Sequence, residues 1–426
     1  MKEIVKDLID YAEKSEKVSG EIKKIFKKAI NNTFTTTMRE TDRGDVFVIT
    51  GDIDAMWLRD SSGQIRPLFY IDSREADELI KKVLQRQIFS LDKDYYANAF
   101  NIEANDRCWT DKDITDFDSP WVWERKYELD SLCYVMQTAF MYYEKTHDKS
   151  IFDDFNLKVF ENIVKLMKLE QNHENSKYEF ERPNPWAPSD SLREGKRGTK
   201  VGFTGMTWSG FRPSDDSCLY QYLIPANCFA VVSLNRLADC LIHAKKALAL
   251  AKEMKNLAEE IDQGIKKYGI VEDFDYGKIF AYETDGLGSY NLMDDANVPS
   301  LLSLPYLEYI EKDNPLYKNT RAFILSNKNK NYFEGKAAKG IGSDHTPKDY
   351  IWHIALAIEL MTSTDDSEKE KVLAFFEKTH ADTYLCHEGF HKDDYFKYTR
   401  DWFSWSNSMF VEAVLRYIGL DLVKAK

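Results

Sequence analysis

Apolar residues recur at helical spacing along almost the whole chain. Ile4, Val5, Leu8, Ile9 and Ala12 form the first amphipathic stripe. Ile22, Ile25, Phe26 and Ala29 form a second, and Ala76, Leu79, Ile80, Val83 and Leu84 a third. Two more run through Leu132, Val135, Met136, Ala139, Phe140 and Tyr143 and through Phe155, Phe160, Ile163, Val164 and Met167. Spacing of i, i+3, i+4, i+7 is that of one helix face turned to a core. The same pattern predicts helices near 218–236, 243–267, 297–310, 318–327, 350–362, 366–380 and 404–419. Strand signals are few: Val46–Ile49, and Lys278–Tyr282 after the turn at Asp275-Tyr-Gly277. The longest non-periodic stretch, 171–217, is rich in Pro and Gly, and a loop of that length in a compact domain is usually functional.

About a dozen helices with irregular, aromatic-rich loops fit an all-α toroid of two concentric helix rings, with its loops gathered at one end. No composition shift or low-complexity linker divides residues 1–426, so one domain is expected. The net charge of −13 removes the basic footprint that nucleic-acid binding requires. The opening residues read as an amphipathic helix rather than a signal peptide, and there is no 18-residue apolar run, so no membrane segment is expected. Six scattered cysteines without a CxxC pair fit free thiols and a cytoplasmic setting. A monomer is expected.

Three constellations carry candidate chemistry. In Gly51-Asp-Ile-Asp-Ala-Met-Trp-Leu-Arg-Asp60, the groups Asp52, Asp54, Arg59 and Asp60 surround Trp57. A sugar is held by that mixture: charged planar groups grip vicinal hydroxyls, and an aromatic face meets the C–H side of the ring. A helix-capping Asp with a surface ion pair is the plainer alternative. In Trp208-Ser-Gly-Phe-Arg212-Pro-Ser-Asp215-Asp216, one Asp or Ser214 can cap a helix starting near Cys218, but a cap does not explain two adjacent carboxylates. A carboxyl crowded by another has its pKa raised, as a general acid requires. The third is His387-Glu388-Gly-Phe-His391, followed by Trp402-Phe-Ser-Trp405. It matches the letters of the HExxH zinc motif, but Gly389 argues against the stable helix that motif needs. Asp294 and Asp295 in Met293-Asp-Asp-Ala-Asn297, and Asp344 in Gly342-Ser-Asp-His345, precede predicted helices and read first as caps; Asn297 and His345 are weaker candidates for sugar contact.

With Asp54-Ala-Met-Trp-Leu-Arg-Asp60, Phe211-Arg-Pro-Ser-Asp-Asp216 and His387-Glu-Gly-Phe390 in this order, the chain resembles glycoside hydrolase family 125 from about residue 20 to about 420. The resemblance implies an (α/α)6 barrel and an exo-α-1,6-mannosidase. It further implies inversion by single displacement on mannose-containing glycans, with neither metal nor cofactor. It implies Asp215 as general acid and Glu388 as general base, the choice between Asp215 and Asp216 staying open. Arg59-Asp60 resembles the pair with which glucoamylases hold terminal-sugar hydroxyls. The expected substrate-binding set is Asp54, Trp57, Arg59, Asp60, Trp208, Arg212, Asn297, His345, Trp402 and Trp405. Two alternatives remain: an exo-glycosidase for another sugar on the same barrel, and a non-catalytic carbohydrate-binding scaffold.

Overall fold

The computed structural model describes residues 3–425. Among them are twelve α-helices: α1 (Lys6–Lys14), α2 (Gly20–Thr36), α3 (Leu58–Gln64), α4 (Arg74–Leu91), α5 (Leu129–Thr146), α6 (Asp154–Glu170), α7 (Ile224–Ala244), α8 (Leu248–Tyr268), α9 (Pro315–Ile324), α10 (His353–Thr362), α11 (Asp366–Thr379) and α12 (Ser404–Ile418). Helices α3, α5, α7, α10 and α12 are buried on nearly every face. The others bury one stripe, as an outer-ring helix does. Inner helices pack in the cycle α10–α12–α3–α5–α7; outer ones lean on them, α2 on α12, α4 on α5, α8 on α7 and α11 on α10. The architecture is the (α/α)6 barrel.

One inner position departs from the expected helix at 297–310. This segment is a succession of turns that still buries Leu301, Leu302, Leu304 and Leu307. Pro299 and Pro305 each remove a backbone donor, which prevents a continuous helical ladder. Asp294 nevertheless acts as a cap, accepting from the N–H groups of Leu301 at 2.8 Å and Leu302 at 2.9 Å. No helix starts near Cys218, so neither Ser214 nor Asp215 caps one; α7 begins at Ile224 behind Pro225. Asp344 likewise caps nothing, and instead pairs with Lys330 at 2.5 Å.

The loops entering the inner helices all emerge at one end. Short antiparallel sheets stiffen them. Strands Met56–Trp57, Ala99–Phe100 and Val122–Glu124 form one, aligning Trp57 with Ala99 and Ala99 with Glu124. Strands Tyr350–Trp352, Gly389–His391 and Asp394–Thr399 form another, aligning Trp352 with Gly389. All six cysteines are free thiols. No helix of the described residues is long and apolar enough to cross a membrane.

Candidate active site

A cavity of about 420 Å³ opens at this end of the barrel, walled by the residues that precede or begin α3, α5, α10 and α12. Two tryptophans depend on glycine for their placement. A Cβ on Gly51 would lie 2.3 Å from the Trp402 carbonyl oxygen, so only glycine lets the loop ahead of α3 bridge to Phe403. A Cβ on Gly63 would lie 2.3 Å from the Trp405 indole, which packs directly on α3.

Arg59 is buried in the cavity wall, with four carboxyls around one guanidinium. Nη1 donates to Glu128 Oε2 at 2.5 Å and lies 3.7 Å from Asp130 Oδ2. Nη2 donates to Asp215 Oδ1 at 3.3 Å, and Nε is 3.5 Å from Asp60 Oδ1. The guanidinium also stands over the Trp405 ring, 5.4 Å from its centroid. Thr50 Oγ1 donates to Asp60 Oδ2. Burial raises the Asp60 pKa, and Arg59 only partly offsets that.

Asp215 sits on a turn that aims it into the cavity. Pro213 occupies the second turn position, the Asp215 N–H donates to the Arg212 carbonyl at 3.0 Å, and Asp215 takes φ +65°, a left-handed conformation that Asp tolerates better than most residues. Lys126 Nζ clamps the turn by donating to the Asp215 carbonyl and to Asp190 Oδ1, both at 2.8 Å. Asp216 points elsewhere. Its carboxylate accepts from Ser214 Oγ at 2.9 Å and lies 3.7 Å from His345 Nδ1, too long for a hydrogen bond but close enough for an ion pair. Burial alone would lower the His345 pKa, but Asp216 outweighs it and lifts it to about 9; the same pairing brings Asp216 to about 2 against its own desolvation. The Asp216 carboxylate thus favours the charged form of the imidazole.

The raised pKa expected of the crowded acid falls on a different residue. Burial pushes Asp215 upward, but the charges of Arg59 and Lys126 and a hydrogen bond with Glu128 outweigh it, so its carboxyl stays below the usual range. Glu128 is instead pushed far above, by burial first and then by Asp215 and Asp130.

Glu388 also lines the cavity, as do Trp352 and Arg400. Arg400 Nη1 is 3.8 Å from Glu388 Oε1 and the Arg400 Nε grips Asp52 at 3.0 and 3.1 Å. The HExxH letters do not form a metal site: Gly389–His391 is a strand, His387 Nδ1 faces the Arg400 carbonyl at 3.1 Å, and its Nε2 faces Thr383 Oγ1 at 3.1 Å. Among the described residues no group of three or more His, Cys, Asp or Glu is arranged to hold a metal ion. Around the cavity, Trp57 Nε1, Arg59 Nε, Asp60 Oδ1, His345 Nδ1 and Trp405 Nε1 are buried without a hydrogen-bond partner in the protein. Unpaired polar atoms beside aromatic faces suit a ligand that is polyhydroxylated on its rim and apolar on its ring faces.

Residues 19–415 match the family of metal-independent alpha-mannosidases, GH125. The chain belongs to family GH125. It is a glycoside hydrolase, similar over 99% of its length to a GH125 structure from Streptococcus pneumoniae in a non-productive complex with alpha-1,6-mannobiose, at 41% identity, 99% coverage of that chain and a TM-score of 0.96. The meiotically up-regulated gene 157 protein of Schizosaccharomyces pombe is 36% identical, over 93% of this chain and 82% of that protein. A bacterial glucoamylase solved with acarbose shares the fold alone, at 12% identity and a TM-score of 0.58 over 87% of this chain and 50% of the other.

In this GH125 chain the cavity brings together Trp57, Arg59, Asp60, Asp215, Asn297, His345, Glu388 and Trp405 from the expected set. It leaves out four. Asp54 lies outside, held by Arg39 and, at 2.8 Å, by Arg107. Trp208 is wholly buried in the core, stacked 3.7 Å from the His173 ring. Arg212 braces the loop from behind through Glu283 at 2.6 Å. Trp402 contributes its backbone, whose carbonyl accepts from Asp52 N–H at 3.2 Å. Sequence reasoning passed over Glu124, Lys126, Glu128 and Asp130. Their signal is the run Trp121-Val-Trp-Glu-Arg-Lys-Tyr-Glu-Leu-Asp130, as dense in aromatics and charges as the Gly51–Asp60 run and likewise set just before an inner helix. Trp109, Trp186 and Trp352 were also missed; the first two are exposed at the cavity mouth.

Proposed function

We propose that this GH125 enzyme removes terminal α-1,6-linked mannose from the non-reducing end of mannosides by inversion, with Asp215 as general acid and Glu388 as general base, the whole chain acting as one catalytic domain. The carrying observation is that these two carboxyls, from loops far apart in sequence, line one cavity at the N-terminal ends of the inner helices. Asp215 protonates the glycosidic oxygen as the C1–O bond breaks, its electron pair leaving with that oxygen. Glu388 takes a proton from the water that attacks C1 from the opposite face. Arg59 and Asp60 carry the buried unpaired atoms that ring hydroxyls would satisfy, and those bonds tighten as the ring flattens. Trp57 and Trp405 offer ring faces, while exposed Trp109 and Trp186 offer faces to the leaving sugar.

The α-1,6 preference is supported by the mannobiose seen in the Streptococcus pneumoniae relative. The test is incubation with α-1,2-, α-1,3-, α-1,4- and α-1,6-mannobiose and with isomaltose, followed by NMR. Release from α-1,6-mannobiose, with β-mannose appearing before mutarotation, is the expected result. Initial α-mannose would overturn the single-displacement assignment, and preferential cleavage of isomaltose would overturn the sugar assignment.

A further inference from the structure

Glu128, the residue before α5, does not line the cavity, and its side chain has no exposed surface. It nonetheless shares its polar neighbours with Asp215. Arg59 donates from Nη1 to Glu128 Oε2 at 2.5 Å and from Nη2 to Asp215 Oδ1 at 3.3 Å. Asn98 Nδ2 reaches Asp215 Oδ1 at 3.3 Å and Glu128 Oε1 at 3.5 Å. Arg59 and Asn98 thus hold the two carboxyls side by side, each donor reaching both. Asp60 and Asp130 complete the group around Arg59. Lys126 spends its ammonium on Asp190 and on the Asp215 carbonyl rather than on these carboxylates. Four ionised carboxylates would share one guanidinium in direct contact, while Lys126, His345 and Arg400 act on single members of the group from farther away, an arrangement that low-dielectric surroundings disfavour. That arrangement favours a proton retained within the cluster.

We propose that Glu128 is a positioning residue that stores this proton against Asp215 and hands it over when substrate fills the cavity. The step is a single proton transfer: the Glu128 O–H bond breaks as the Asp215 O–H bond forms. The charge left on Glu128 falls on an oxygen already facing two donors, Arg59 Nη1 and Ser131 Oγ at 3.0 Å. Arg59 bridges both carboxyls, so it stays paired whichever of them is ionised. After Asp215 has protonated the leaving oxygen, the proton that Glu388 took from water returns to the pair through solvent, and the cycle closes. The opposite pKa displacements of the two residues agree with a resting proton on Glu128. This device explains how an acid held beside two cations is protonated at neutral pH. It rests on the reading of Asp215 as the acid.

The groups that bear on the pair's titration are Arg59, Asp60, Asp130, Lys126 and His345. The test is the pH profile of kcat on α-1,6-mannobiose for wild type, Glu128→Gln and Glu128→Asp. Gln keeps the shape and can donate to Asp215, but carries no transferable proton. Asp215 must then draw its proton from solvent at its own depressed pKa. The expected result is a loss of about 100-fold at neutral pH. The alkaline limb should move down by a unit or more, with activity partly recovered on acidification. Glu128→Asp, which still carries a proton, should return the limb to within half a unit of wild type, and Glu128→Ala, which carries none, should move it as Gln does if the Gln variant does not fold. An unmoved limb in Glu128→Gln, or a limb in Glu128→Asp displaced by a unit or more, overturns the proposal. A wild-type enzyme inert on α-1,6-mannobiose would instead overturn the functional reading itself.

Discussion

His345 Nδ1 lies 3.7 Å from Asp216 Oδ2, and this pairing separates two adjacent aspartates into different roles. Asp216 turns toward His345 and Ser214, and Asp215 is the member of the pair that lines the cavity. Asp216→Asn should therefore leave the acid in place and act through His345. With its nearest counter-charge gone and its burial unchanged, the imidazole pKa should fall from about 9, with only Glu388 and Asp215 left to raise it against burial. In wild type the contribution of this pair to stability is complete between about pH 4 and 6.5. It fades as pH rises through 9, where His345 loses its charge, and as pH falls through 2, where Asp216 gains a proton. Imidazole NMR titration of both proteins checks the shift, and a His345 titration unmoved in the variant would contradict it.

Removing the base should stop the reaction without emptying the site. Glu388→Gln keeps the side-chain shape but cannot accept a proton, so kcat on α-1,6-mannobiose should fall by about 1,000-fold or more while calorimetry still detects binding. Asp215→Asn should be comparably damaging on the disaccharide. It should be much milder on a dinitrophenyl α-mannoside, whose leaving group departs without protonation. Equal losses on both substrates would argue against Asp215 as the proton donor.

Arg59 and Asp60 should separate in their effects on folding. Asp60→Asn keeps the volume and an acceptor for Thr50, so it should fold normally and lose about 100-fold in kcat/KM. Arg59→Ala strips the shared partner from four buried carboxyls and should destabilise the fold by about 3–5 kcal/mol, with binding lost as well. Thermal melts and kinetics on the same preparations distinguish the two, and an Arg59→Ala protein melting with wild type would show the cluster to be far better solvated than its burial indicates.

The rim tryptophans should matter to the leaving group alone. Trp186, 63% exposed at the mouth, should raise KM for mannobiose several-fold when changed to Ala, with little effect on a small aryl mannoside. Incubation with EDTA should leave the rate unchanged. Loss on chelation with recovery on adding Zn²⁺ or Ca²⁺ would contradict the metal-free mechanism.

The helices were legible because each amphipathic or apolar stripe is a local record of what a segment buries. The stripes at Ala76–Leu84 and Leu132–Tyr143 became α4 and α5 for that reason. The 297–310 segment was misread because its apolar spacing reports burial, whereas Pro299 and Pro305 decide the backbone. Motif chemistry likewise singled out Arg59, Asp60, Asp215 and Glu388, all of which line the cavity, since charges beside aromatics and glycine stand out from a solvated surface. It could not tell that Trp208 stacks in the core while Trp405 lines the cavity, because both are apolar and both are buried. Nor could it place Glu128 against Asp215. Those residues are 87 positions apart in sequence, and they meet because α3 carries Arg59 to a point where loops from two other parts of the ring converge. Local pattern determined which segments are helices and which residue types carry chemistry. Closure of the ring decided which carboxyls share one guanidinium, because the energy of a buried charge depends on what surrounds it in space rather than on its neighbours along the chain.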